Sequence, residues 1–236
     1  LPNRWNDAAH IRRNQIESGA DVTFNDVFKP ALLDLISNLH PENILEVGAG
    51  TGHLSKDISN LGLNVTAIEP STEMYKVAQE VLSQTDVRLL NVASFDVTPP
   101  PYYDLAISHL VAHTVDDLEK FLRSIQDQLR EDGCLIFSIP HPCFYNDYKK
   151  FFGEEYNYMT PMSKEVSFTI TKEPQNVISG VPYHHRPISH YINSINSSGL
   201  LIEGLIEVYP DAKTQEKYGS LWSSPRYCIF NCKRIS

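Results

Sequence analysis

Apolar residues in this chain alternate between short continuous runs and stretches where they recur every three or four positions. Runs at residues 43–47, 63–68, 87–92, 104–108 and 134–139 are dominated by Ile, Leu, Val and Ala. Near-continuous apolar runs of this length suit strands buried on both faces of a parallel sheet. Between them, Met74, Val77, Ala78 and Val81 fall at helical spacing behind the capping candidates Ser71 and Thr72, the pattern of a helix with one buried face. A longer stripe of Leu118, Phe121, Leu122, Ile125 and Leu129 predicts another helix, with Asp116 and Asp117 in its first turn and Gly133 as the C′ residue that stops it. Strand–helix alternation of this kind predicts an α/β fold with right-handed crossovers and a doubly wound sheet.

Two regions break the alternation. Residues 1–40 read as helical, with Ala31, Leu32, Leu35 and Ile36 striped behind Pro30. Residues 144–187 form a long insertion after the fifth strand, and seven of the fifteen residues from 144 to 158 are aromatic, so this stretch either lines an apolar pocket or forms a small core of its own. Within it, residues 165–171 and 177–181 are expected to pair as a hairpin. Helical spacing returns at Ile188, Tyr191, Ile192 and Ile195 and stops at Gly199, and two further strands are expected at residues 200–208 and 227–231. The expected organisation is one domain over residues 1–236. It comprises an N-terminal helical lid (1–40), a ligand-binding core (41–143), an inserted cap (144–187) and a C-terminal helix with strands (188–236).

A chain of 236 residues buries enough surface to fold without a disulfide or metal staple. Twenty Lys and Arg against 29 Asp and Glu give a formal charge of −9, which argues against nucleic acid and against an anionic membrane surface as partners. No run of 18 apolar residues predicts a transmembrane helix. Leu1-Pro2-Asn3-Arg4-Trp5 has no apolar signal core; the chain starts without Met, which leaves a removed leader open. Cys134, Cys143, Cys228 and Cys232 form no CxxC and read as free thiols of a reducing, cytoplasmic compartment. The nine His show no metal-ligand spacing, so no metal is expected.

The most informative stretch is Glu46-Val47-Gly48-Ala49-Gly50-Thr51-Gly52, which follows a strand and opens a helix. Glycines there let a ligand approach backbone N–H groups closely. A dinucleotide fold wants G-x-G-x-x-G; here the third glycine comes one position early, and His53 stands where that motif puts Gly. Glu46 beside the turn would repel a pyrophosphate and attract a cationic ammonium or sulfonium group. Glu69 ends the next strand, 21 residues after Gly48, where a carboxylate can accept both hydroxyls of a ribose.

Taken together, Glu46 to Gly52, Glu69-Pro70-Ser71 with Met74, Ser108 to His113 and the Gly133 to Pro142 stretch resemble a class I S-adenosylmethionine-dependent methyltransferase. The likeness is greatest to the small-molecule, methyltransferase type 11/25-like branch. The resemblance implies a Rossmann-like, doubly wound seven-stranded sheet whose last strand, supplied by residues 227–231, is antiparallel. It implies S-adenosyl-L-methionine as cofactor. Glu46, Gly48, Ala49, Gly50 and Gly52 would hold its methionine part and Glu69 its ribose. Pro70, Met74, Ser94 and Phe95 would sit around the adenine, and Ser108 and His109 would flank the methyl donor.

His109 ends the fourth strand and His141 follows the fifth, where ligands of open α/β sheets bind. Either could act as a base or touch substrate; His113 reads as structural. Tyr183-His184-His185-Arg186 precedes a helix, and Arg186 could clamp a carboxylate or phosphate, or pair with a protein carboxylate. Tyr145, Tyr183 and His184 are further substrate-contact candidates, and Trp5 could close over the cofactor as part of the lid. Arg12 and Arg13 read as solvated, with one in reach of the cofactor carboxylate. The expected function is transfer of a methyl group from S-adenosylmethionine to an O or N nucleophile of a small molecule. An NAD(P)-dependent oxidoreductase and a non-catalytic S-adenosylmethionine-binding module are the competing readings. Oligomeric state is not legible.

Overall fold

The computed structural model describes residues 5–97, 103–145, 147–219 and 221–235. The chain opens with helix α1 (Ala9–Glu17), a π-helical turn at Thr23–Phe28 and α2 (Lys29–Leu39). Then come β1 (Asn43–Val47), α3 (His53–Ser59), β2 (Asn64–Ile68), α4 (Thr72–Val81), β3 (Arg88–Leu90), β4 (Tyr103–His109), α5 (Leu118–Gln126) and β5 (Leu129–Pro140). The insertion holds α6 (Tyr148–Phe152) and the hairpin β6 (Met162–Ile170) and β7 (Glu173–His185). The chain closes with α7 (Ile188–Ser197), β8 (Leu200–Val208), α8 (Ala212–Tyr218) and β9 (Tyr227–Arg234).

Seven strands form one sheet in the order β3-β2-β1-β4-β5-β9-β8. The strands from β3 through β5 are parallel, and β9, last in the chain, runs antiparallel to both β5 and β8. Alternation along the strands feeds a core on each face. Leu45, Ala106, Leu135 and Phe137 meet α5 and α7 on one side; Ile44, Ile107, Ile136 and Ile229 meet α2 and α3 on the other. A third cluster joins the start of α1, one face of α4 and the insertion, through Met74, Val77, Phe151, Val166, Val181 and Tyr183. The direction of chain crossover reverses between β1 and β4, so the two strands neighbouring the switch point deliver the glycine turn and His109 to the same crevice.

Several expectations change in position. Ser71 caps α4 as expected, its hydroxyl accepting the Met74 N–H at 3.2 Å. The next helix ends at Gln126, with Asp117 as its N-cap, and Leu129 already belongs to β5. Gly133 therefore lies inside β5, where a Cβ would come within 2.9 Å of the Arg130 carbonyl, rather than at a helix C′ position. The register shift in the β4–β5 pairing falls in this stretch. Of the expected 1–40 lid, residues 1–4 lie outside the described residues. The α2 helix is a core element, with Leu32 and Ile36 fully buried against the sheet. The expected hairpin is longer than its apolar alternation indicated, pairing Met162 with His185 and Ile170 with Glu173. Among the described residues, no helix is long and apolar enough to cross a membrane.

Candidate functional site

At the end of β1 the backbone turns under the start of α3, and β2 holds it there. The Gly48 and Ala49 N–H groups donate to the Ile68 carbonyl at 2.9 and 3.0 Å. Glu69, the residue after β2, accepts the Gly50 N–H on one carboxylate oxygen at 2.8 Å and the Ser71 N–H on the other at 2.7 Å. Gly50 has a φ of +55° and nothing within 4 Å of where a Cβ would stand, so its bare backbone faces open space in the crevice. Glu46 is 2% exposed and accepts the Ser55 hydroxyl. Burial raises its pKa to about 7, with the Glu69 charge adding to the shift and the Ser55 hydrogen bond opposing it. Burial also raises that of Glu69, against its two backbone hydrogen bonds. Two carboxyls at one crevice, each displaced toward the neutral form, are placed to be ionised by an incoming cation or to accept ligand hydroxyls.

This turn forms one end of a cavity of about 460 Å³, within the usual range for small-molecule sites, roughly 300–1,000 Å³. Pro70, Met74, Ser94 and Phe95 line the same end. Ser94 Oγ accepts the Ser124 hydroxyl at 2.7 Å, and Lys120 lies 5.2 Å over the half-exposed Phe95 ring.

The cavity continues into an aromatic chamber. His109 stands there edge-on to Phe28, with ring centroids 4.5 Å apart, and Phe28 in turn meets Tyr227 at 5.0 Å. Its Nδ1 is 2.8 Å from Ser138 Oγ, and burial lowers its pKa to about 4. The insertion adds Tyr145, Phe151 and Tyr183, and the segment before β9 adds Trp222 and Arg226. Trp5 and Phe168 meet edge-on at 6.4 Å and join the N-terminal segment to the hairpin over the opening.

The family model described as "Methyltransferase domain" matches residues 45–137. The whole chain superposes on an S-adenosylmethionine-dependent methyltransferase from Clostridium acetobutylicum at TM-score 0.68, with 16% identity over 99% of this chain and all of that one. A Burkholderia thailandensis 1,6-didemethyltoxoflavin-N1-methyltransferase, solved with S-adenosylhomocysteine and 1,6-didemethyltoxoflavin, superposes at 0.58, with 18% identity over 100% of this chain and 92% of that one. Among curated proteins, an uncharacterised methyltransferase of Geobacillus kaustophilus is 33% identical over 124 residues, covering 51% of this chain and 58% of its own. The chain spans between about half and three fifths of the length of such relatives. Residues 45–137 thus match a methyltransferase-domain family, and the fold is similar to that of S-adenosylmethionine-dependent methyltransferases.

Around this cavity the structure gathers most of the residues singled out by sequence. Glu46, Gly48, Ala49, Gly50, Glu69, Pro70, Met74, Ser94, Phe95, His109, Trp5, Tyr145 and Tyr183 all line it. Five others do not. Gly52 caps α3, and a Cβ there would meet Leu82 and Ala78 at 3.1–3.2 Å, so its smallness serves packing against α4. Ser108 is fully buried within β4. His141 is 2% exposed; its Nε2–H donates to Glu207 at 3.0 Å and its Nδ1 accepts the Cys143 N–H at 3.1 Å. With both ring nitrogens engaged outside the cavity, it has none left for substrate. Arg186 pairs with no carboxylate among the described residues; it donates to the carbonyls of Ala112, Val115 and Asp116 at 3.4, 2.6 and 2.7 Å, tying the hairpin to the loop after β4. His184 Nδ1 lies 2.8 Å from Ser163 Oγ on the hairpin.

The aromatics of 144–158 divide between both expected roles. Tyr145 and Phe151 line the cavity, whereas Tyr148, Phe152 and Tyr156 surround His185 in a small core. Sequence reasoning missed Phe24, Phe28, Trp222, Arg226 and Tyr227 as cavity residues, and read His113 as structural although it lines the wall. Arg12, read as solvated, is held by Asp21 at 2.5 Å and lines the cavity; Arg13 pairs on the outside with Glu17 and Glu80. Among the described residues, no group of three or more His, Cys, Asp or Glu is arranged to hold a metal ion.

Proposed function

We propose that the protein transfers a methyl group from S-adenosylmethionine to an oxygen or nitrogen of a small, planar acceptor held in the aromatic chamber. The observation that carries this reading is continuity: one cavity runs from the glycine turn between Glu46 and Glu69 to the rings around His109. Fit supports the cofactor. Open space over Gly50 admits a ligand to the backbone, Glu46 meets an ammonium, and each Glu69 oxygen keeps a lone pair beyond its backbone hydrogen bond for a ribose hydroxyl. Bound there, S-adenosylmethionine supplies an activated methyl group, so the protein's work is alignment and exclusion of water.

In this reading the lid around Trp5 and the hairpin around Phe168 exclude water, and His109 positions the acceptor. Ser138 Oγ accepts the Leu110 N–H at 3.1 Å, and in this reading it donates its own proton to His109 Nδ1. That tautomer puts the ring proton on Nε2, which has no partner among the described residues and can donate to the acceptor. A pKa near 4 makes this ring a weak base at neutral pH and favours the positioning role. Calorimetric titration with S-adenosylmethionine and S-adenosylhomocysteine tests the proposal; binding in the micromolar range supports it, and no binding of either at millimolar ligand refutes it. Transfer of a labelled methyl group to an aromatic acceptor panel separates an enzyme from a module that only binds.

A further inference from the structure

Two basic side chains line the cavity, Arg12 and Arg226, and they are held differently. Asp21 is paired with Arg12 at 2.5 Å and accepts the Phe24 N–H at 2.9 Å. Asp147 receives the Tyr145 hydroxyl at 3.4 Å. Arg226 has no ion pair and no side-chain hydrogen bond among the described residues, although it is partly buried and lines the chamber. Its guanidinium lies 4.6 Å from the Trp222 ring centroid. Trp222 is 3% exposed, and its Nε1 is buried without an acceptor among the described residues. Arg226 thus brings unpartnered donors to this corner, where Asp21 acts on both flanking tyrosines but is itself engaged by Arg12, and Asp147 acts on Tyr227.

The corner is also rigid. The Trp222 N–H donates to Gln215 at 2.8 Å, and the Tyr218 and Tyr227 rings flank the indole at 5.3 and 5.9 Å. The Arg226 carbonyl accepts the His141 N–H at 2.8 Å, which anchors its backbone to the end of β5. Stacking on an indole fixes the plane of a guanidinium and leaves its edge donors free. A carboxylate is the group whose two oxygens match that edge.

Resting on the methyltransferase reading of this cavity, we infer that Arg226 on its Trp222 platform is an anion anchor, and that the acceptor is an aromatic molecule bearing a carboxylate. The glycine turn then presents acids, and the Trp222 wall presents a cation with no ion pair among the described residues. Arg226 takes the anion-clamp role that sequence offered as one of two for Arg186.

The test is calorimetric titration of protein saturated with S-adenosylhomocysteine, using benzene- and quinoline-ring probes in matched carboxylate, carboxamide and aminomethyl forms. S-adenosylhomocysteine affinity is measured first; its absence refutes the cofactor reading separately, and the probes are then titrated into the free protein. The wild type is expected to prefer carboxylate over carboxamide by at least about tenfold. Arg226→Gln reduces that preference to under about twofold, and Arg226→Lys, which keeps the charge and loses the fork, gives an intermediate value. Carboxylate and carboxamide binding alike in the wild type would overturn the inference, as would tightest binding of the aminomethyl probe (which assigns Asp147 instead), no probe binding at millimolar concentration, or a preference that survives Arg226→Gln. The wild-type preference decides the matter even if a variant folds poorly.

Discussion

The two ends of the cavity are built in opposite ways. The end proposed for the cofactor comes from one stretch of sheet and turn: Glu46 lies in β1, Gly48 to Gly50 follow it and Glu69 follows β2, held by strand register, backbone hydrogen bonds and the Ser55 hydroxyl on Glu46. The acceptor end is assembled from residues far apart in sequence, including Phe28, His109, Tyr145, Tyr183 and Trp222, each held by side-chain packing. Backbone geometry at a sheet edge tolerates little change, whereas a wall made of side chains from separate segments can be remodelled one ring at a time. The same sheet can therefore serve one cofactor and many acceptors.

Four perturbations sharpen that contrast, in descending order of effect. Gly50→Arg fills the open space over the turn and is expected to weaken S-adenosylhomocysteine binding by on the order of 100-fold or more, with circular dichroism unchanged; unaltered affinity by calorimetry would move the cofactor elsewhere. Arg186→Ala leaves three carbonyls without their donor and is expected to cost about 2–4 kcal/mol in urea unfolding.

The third perturbation is pH. With its pKa raised to about 7, Glu46 is largely protonated at pH 6, and must lose that proton to meet an ammonium. Affinity should therefore rise with pH, by about eightfold between pH 6 and 7.5, and Glu46→Gln should bind weakly without this dependence. In the ligand-free protein the same raised pKa means that Glu46 favours folding at low pH, and that contribution fades as pH climbs from the ordinary carboxylate range through 7. His109 and His113, lowered by burial to about 4 and about 3, act oppositely below their ordinary value, so the wild-type minus Glu46→Gln difference is the quantity to read. The smallest effect is expected at His141→Ala: loss of about 1–2 kcal/mol of stability, with turnover within about threefold of wild type.

Much of the glycine turn and its two carboxylates was legible because their signals are local. A carboxylate before a glycine turn, and a second one at the end of the next strand, say which backbone lies where and what charge it faces. The strands were legible for the same reason, since burial on both faces forces continuous apolar runs. What failed was decided at long range. His141 follows β5 as a sheet-end ligand residue would, yet Glu207, 66 residues away on β8, claims its Nε2. Arg186 was expected to meet a ligand anion or a protein carboxylate, whereas the groups it holds are carbonyls of the loop after β4. The short polar helix α8 carried only its caps as signals, the Asp211 side chain accepting the Thr214 N–H and Gly219 at a φ of +70°. Missing it also hid Trp222 and Arg226 just beyond.

The central claim is that one cavity holds the cofactor at the glycine turn and the acceptor among the rings around His109. A crystal structure of the protein with S-adenosylhomocysteine tests it most directly. The account predicts the ribose hydroxyls on Glu69, the amino group at Glu46, the adenine between Met74 and Phe95, and the sulfur facing His109 and the open chamber. Density for the adenine among Tyr145, Trp222 and Tyr227, or for the ligand outside this cavity altogether, would contradict it.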